Sequence, residues 1–251
     1  MNLSQIIGCF ILIVVTLILA SCGGGGGNGA NYTDQTSYDF KLPPVGTTLT
    51  YANRFVGYNN YSTNFISSKT ISNINEDGSY TSVYNSDATS ITELYDATGN
   101  FVSQIANNSD PGFLITSSPK AIVFPYPLYV GKTWDSTWIN SNARGLNERC
   151  DLTDGKVIGT EYITVPAGTF NTLKIQYNSV CTVNPSLYQT LPSPYPSETI
   201  TSYISDTRTC WLAVDTSIEI QCQSRVSYNS SPQVPVSYPA DIMNEQLLSY
   251  K

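Results

Sequence analysis

From residue 47 onward apolar and polar positions alternate with a period of two, the pattern of strands that bury one face. Candidate strands cover residues 47–55, 61–74, 79–84, 90–95 and 101–105, separated by Glu76-Asp77-Gly78 and by the polar stretch from Asp96 to Asn100. Those separators carry the residues that tight turns require. Two hairpins can be read down to their register. A turn at Asp215 to Ser217 sets Val214 opposite Ile218, Leu212 opposite Ile220 and Cys210 opposite Cys222, all on one face. A turn over Pro166-Ala167-Gly168-Thr169 sets Val165 opposite Phe170, so that Ile158, Thr160 and Tyr162 share an apolar face with Leu173, Ile175 and Tyr177. On the other face Glu161 meets Lys174 as a cross-strand ion pair, which gives this acid a structural role. Residues 241–248, with Asp241 as N-cap, are expected to form a short closing helix. The fold class expected is all-β: a curved antiparallel sheet, half-open barrel or sandwich built of hairpins.

The pattern before residue 47 is different in kind. Ile6 to Ala20 is a nearly unbroken apolar run of 15 residues, which fits the core of a signal peptide and falls short of the ~20 residues of a membrane-spanning helix. It ends in Leu19-Ala20-Ser21-Cys22, which resembles the bacterial lipobox. That resemblance implies cleavage after Ser21 and acylation of the Cys22 thiol, with membrane lipid as the partner of the anchored chain. Residues 1–5 carry no Lys or Arg, so the α-amino group alone supplies the positive charge usual there. Gly23 to Gly27, followed by Asn28, Gly29 and Ala30, have no side chains to bury and little apolar patterning follows before Leu42, and a glycine-rich coil of about 16 residues spans roughly 20–25 Å. The expected organisation is a signal peptide over 1–21, a lipidated cysteine and tether over 22–40, and a β-rich body over 41–251. Gly23, rather than Asp, after the cysteine favours the outer membrane of a two-membrane envelope.

Composition narrows the chemistry. The chain has 12 basic and 19 acidic residues, a net charge of −7, and no cluster of Lys or Arg, so a nucleic-acid partner is not expected. Histidine is absent, which removes Ser-His-Asp and Cys-His catalysis and the commonest transition-metal ligand. No cofactor, metal or catalytic residue is assigned. The one enzymatic route kept as an alternative is glycoside hydrolysis by two carboxylates. Asn73 to Gly78 has the alternating oxygen side chains of a calcium loop, but its twelfth position is Tyr84, and a hairpin turn explains it more simply.

Four cysteines remain in the body, Cys150, Cys181, Cys210 and Cys222, with no Cys-x-x-Cys spacing. In an exported chain this reads as two disulfides. Strand register pairs Cys210 with Cys222 and leaves Cys150 for Cys181. Two Pro- and aromatic-rich stretches, 111–128 and 184–197, are the expected loops, and Phe124, Tyr126, Tyr188 and Tyr195 the candidate rim for a ligand.

Two segments carry a family resemblance: Tyr126-Pro127-Leu128-Tyr129-Val130-Gly131-Lys132-Thr133-Trp134, and Gly159-Thr160-Glu161-Tyr162-Ile163-Thr164-Val165-Pro166-Ala167-Gly168-Thr169-Phe170-Asn171-Thr172-Leu173-Lys174. They resemble uncharacterised bacterial envelope lipoproteins, similar in outline to periplasmic lipoprotein carriers, with the likeness extending over about residues 40–230. The resemblance implies a curved antiparallel sheet and brings no catalytic residues with it. The function expected is non-catalytic binding or envelope assembly, with a lipid, a peptide or a glycan as ligand.

Overall fold

The computed structural model describes residues 36–57, 61–86, 89–107, 114–143, 145, 147–183, 202–229 and 241–251. Twelve strands run in chain order: β1 (Thr48–Val56), β2 (Ser62–Ile74), β3 (Tyr80–Ser86), β4 (Thr89–Tyr95), β5 (Phe101–Ala106), β6 (Ile115–Ala121), β7 (Thr133–Ser141), β8 (Asn147–Val165), β9 (Gly168–Val183), β10 (Ser202–Ala213), β11 (Glu219–Asn229) and β12 (Asp241–Tyr250). Each pairs antiparallel with its neighbours in sequence, and β12 returns to pair with β1. The sheet is therefore a closed up-and-down barrel, with no free edge left to template association. The all-β expectation holds, and closure is complete rather than half-open.

The first five strands lie within a residue or so of where alternation put them. Residues 241–250 are strand β12, not a helix. The alternation of Met243, Glu245 and Leu247 against Ile242, Asn244 and Gln246 is pairable on both sides, and tertiary pairing with β1 and β11 overrides the Asp241 cap. Residues 115–121, expected as loop, form β6. Asn73 to Gly78 is the β2–β3 turn, where Asp77 Oδ1 accepts hydrogen bonds from the backbone N–H (2.9 Å) and hydroxyl (2.6 Å) of Ser79.

Both disulfides form as expected, Cys150–Cys181 and Cys210–Cys222, each between directly opposed residues. Beyond Cys222 the register differs from the expected one: the ladder slips between Trp211 and Leu212, so Leu212 opposes Glu219 rather than Ile220. The extra residue on β11 is a bulge that tightens the turn. In the β8–β9 hairpin a two-residue turn sets Val165 opposite Gly168 and Ile163 opposite Phe170. Glu161 consequently opposes Thr172, and it reaches Lys174 diagonally at 3.2 Å. Ile158 and Tyr162 are exposed, Tyr162 at 75%, while Leu173, Ile175 and Tyr177 are buried. The expected shared face fails because the ladder shifts between Val157 and Gly159, leaving Ile158 as an extra residue on β8, and because the tip of β8 has run past its last ladder pair with β7, Thr133 with Lys156.

One end of the barrel is packed with apolar side chains. Tyr38 exchanges backbone hydrogen bonds with Leu128 at 2.7 and 2.8 Å. The Phe40 ring lies 6.1 Å from Tyr80 and 5.4 Å from Tyr126, and Tyr80 stacks on Tyr95 at 5.0 Å. Val123, Phe124 and Leu128 are fully buried in the same cluster. A second cluster forms where Ile163, Val165, Ala167 and Phe170, at the tip of the β8–β9 hairpin, pack on Leu49, Tyr51, Ile218, Ile220 and Leu247. Thr172 and Leu173 are consecutive and both buried, so the hairpin is covered on two sides there.

Gly155 is the tightest point of the wall: a Cβ there would lie 2.5 Å from Cε2 of Trp134. The indole is held in place by its N–H, which donates to the Val123 carbonyl at 3.0 Å. We expect Gly155→Ala to destabilise the barrel by about 1–3 kcal/mol, an overpacking cost, read as a lower midpoint in denaturant; an unchanged midpoint would contradict this packing. Joint replacement of Cys210 and Cys222 by Ser is expected to cost about 3 kcal/mol from the freed loop entropy, checked by the same titration.

Candidate functional site

Inward positions of the wall carry an unusual number of polar groups for a core. Alternation along β2, β4, β10, β11 and β12 places Lys69, Glu93, Asp206, Arg208, Glu219 and Glu245 toward the centre. Lys69 Nζ lies 2.9 Å from Glu93 Oε2 and donates to the Tyr95 hydroxyl at 2.8 Å, and Tyr95 in turn donates to Glu93 at 2.9 Å. Ser82 donates to the same carboxylate oxygen at 3.0 Å. Arg208 pairs with Asp206 at 2.8 Å. Glu219 and Glu245, on adjacent strands, are hydrogen-bonded to each other. Removing a charge from water is costly unless it is paired, and these contacts supply most of the pairing.

Two carboxyls in contact cannot both ionise cheaply. Burial, with the neighbouring Glu245 charge, pushes Glu219 well above the ordinary glutamate range, and burial raises Glu245 as well. Burial would by itself lower Arg208, but Tyr177, Asp206 and the two glutamates more than offset it, and its pKa rises. Tyr51 and Tyr95 are pushed up by burial and by the nearby carboxylates. Higher up the wall Ser117 donates to Asn140 Oδ1 at 2.6 Å, and Asn140 donates to Glu148 at 2.8 Å. Burial raises Glu148 despite that bond.

The Glu219–Glu245 pair does not have the spacing of a glycosidase pair. A glycosidase needs its two carboxyls about 5–9.5 Å apart across a cleft, whereas Glu219 and Glu245 bond to one another. Two groups of possible metal ligands occur among the described residues, Glu148-Cys150-Cys181 and Cys210-Glu219-Cys222. Their cysteines are joined as disulfides, and a thiolate is needed for ligation.

Of the four residues expected as a ligand rim, the two within the described residues, Phe124 and Tyr126, are not exposed. Phe124 is 0% and Tyr126 4% exposed, both inside the apolar end of the barrel. Their Pro-rich segment turns inward because it has apolar rings to bury and a strand-free end of the barrel to bury them in. Tyr188 and Tyr195 lie outside the described residues, as does Cys22. On the hairpin wall, Glu161 accepts from Trp211 Nε1 at 2.5 Å, and Lys174 sits 5.1 Å from the Trp211 ring. The Trp211 N–H and Lys174 lower Glu161, a charge held for structure.

Sequence reasoning passed over the outer wall, where a cavity of about 580 Å³ lies across β12, β1 and β2. Register builds it from two adjacent rungs: Gln246, Ala52 and Ile66, then Asn244, Arg54 and Asn64. The only signal in the sequence is that two separate strands, β2 and β12, carry carboxamides at outward positions, with Arg54 outward on β1. Their convergence depends on β12 lying beside β1, which no local pattern reveals.

A family model, DUF3108-like, matches residues 115–186, the stretch from β6 through β9. Both segments that carry the lipoprotein resemblance fall inside it. No curated protein matches the sequence. Among solved structures the chain is similar to a protein described as exported, with a YmcC-like fold, from Bacteroides fragilis NCTC 9343, at 13% identity and a TM-score of 0.42 over 86% of this chain and 100% of that one. It is also similar to a protein described as a lipoprotein from Parabacteroides distasonis ATCC 8503, at 13% identity and a TM-score of 0.39 over the same shares.

The Glu219–Glu245 pair makes stability depend on pH. A carboxyl whose pKa is raised by folding stabilises the fold fully below its ordinary range, and that contribution is lost as pH climbs toward the raised value. Melting temperature is therefore expected to fall as pH rises above the ordinary glutamate range. Glu219→Gln, which mimics the protonated state, should flatten that slope and raise the melting temperature at the alkaline end. A steeper slope in the variant would refute the shared-proton account.

Proposed function

We propose that this chain is a lipid-anchored, non-catalytic envelope barrel, probed from outside by the molecules it binds and tied to the outer membrane through acylated Cys22. The observation that carries the reading is where the tether meets the fold. Residues 36–47 run along the apolar end of the barrel, through the Tyr38–Leu128 pairing and the hydrogen bond from Gly46 N–H to the Ile71 carbonyl at 2.8 Å. A chain anchored at Cys22 and entering the fold there holds the apolar end toward the membrane and presents the opposite end and the walls to the surroundings.

The wall itself supports a body standing in water. Outward positions such as Thr50, Ser68, Thr81, Thr92, Thr137, Gln176, Thr207 and Gln223 are polar, and a lipid-facing barrel requires an apolar band about 25 Å tall. A lipid carrier would need a concave apolar face. The inward side instead carries paired charges, so a water-soluble ligand, and among the expected classes a glycan, fits better than an acyl chain.

The test is metabolic labelling with radioactive palmitate, followed by membrane fractionation. The natural chain is expected to take up label and sediment with outer membranes, and Cys22→Ser to do neither. A variant that still sediments with the same membranes would remove the anchor from the account.

A further inference from the structure

Charge is segregated across the wall formed by β11, β12, β1 and β2. The acids of these strands, Glu219, Asp241 and Glu245, all lie on the inward side, while Arg54 and Arg225 point outward. In a chain of net charge −7, the outer face of four consecutive strands thus carries two guanidinium groups and no carboxylate. No described acid lies within ion-pair distance of Arg54, and its rung partners Asn244 and Asn64 make no side-chain hydrogen bond to another described residue.

The cavity of about 580 Å³ centres on this face, a size within the ~300–1,000 Å³ of small-ligand sites. Ala52 is the reason for the hollow: it is the small side chain between Gln246 and Ile66 on its rung. Each carboxamide offers a donor and an acceptor side by side, which matches a pair of neighbouring hydroxyls. Ile66, 48% exposed, offers an apolar surface to the C–H face of a sugar ring. Arg54 supplies a planar fork that a carboxylate engages through two parallel hydrogen bonds.

We propose that this groove binds an acidic glycan, with a uronate-type carboxylate on Arg54, ring hydroxyls on Asn64, Asn244 and Gln246, and Arg225 attracting a further acidic unit. Two arginines are too few for a nucleic-acid backbone, and the groove is too open to solvent to enclose an acyl chain. The proposal rests on the reading that the chain binds rather than cleaves.

The experiment uses the full lipidated chain in detergent micelles, with trigalacturonate, triguluronate and sialyllactose as acidic probes and maltotriose as the neutral one, followed by calorimetry and saturation-transfer NMR. At least one acidic probe is expected to bind while maltotriose does not. Arg54→Gln should weaken that binding ~10-fold, and Ala52→Trp, which fills the hollow from the solvent side, should abolish it without lowering the melting temperature. Binding by none of the acidic probes, equal binding of maltotriose, or indifference to both substitutions would overturn the groove. New reducing ends in the incubated sugar would instead overturn the non-catalytic reading and leave the groove standing.

Discussion

Closure of β12 onto β1 is the constraint on which the remaining structure depends. Residues 242–250 pair with β1 across almost its whole length, and 241–246 pair with β11. Without that strand the sheet would have two open edges, and the side chains of Leu49, Tyr51 and Leu247 would lose their shared cover. Closure also fixes which side of every strand is inside. A single-residue slip would turn the acids of β11 and β12 outward and their carboxamides inward.

The interior this creates is heterogeneous. Toward one end, stacked aromatic rings and the inward-turned segment around Phe124 fill the space, and burial of apolar area does the stabilising there. In the middle, Lys69, Glu93, Arg208 and Asp206 are held by mutual pairing, and the Glu219–Glu245 contact tolerates burial by keeping a proton. Such groups contribute little net stability compared with apolar replacements. Their consequence is a core whose energy depends on pH and an outer surface relieved of negative charge on one side.

That relief gives the outer wall its chemical character. Most surface charge in an acidic protein repels anions, yet the only charged groups on the outward face of the strands from β11 to β2 are the guanidiniums of Arg54 and Arg225. The same strand alternation that hides three acids also lines up Arg54 with Asn244 and Asn64. Interior electrostatics and surface recognition are thus two sides of one register.

The sequence by itself determined the strand-rich character of the body, five strands nearly to the residue, and both disulfides, because alternation with period two and the direct opposition of Cys210 and Cys222 are local facts. The expectation of a signal peptide and tether, drawn from apolar run length and glycine content, lies outside the described residues. The helix expected at 241–248, the exposed rim at Phe124 and Tyr126, and the faces of Ile158 and Tyr162 were misread, because each depends on which distant strand lies alongside. Only the tertiary structure decided that the last strand closes on the first, that the Pro-rich segment folds inward, and that carboxamides from two strands meet on either side of Arg54. Pairing between residues nearly 200 positions apart is set by the closed geometry of the whole sheet, and no short stretch of chain encodes it.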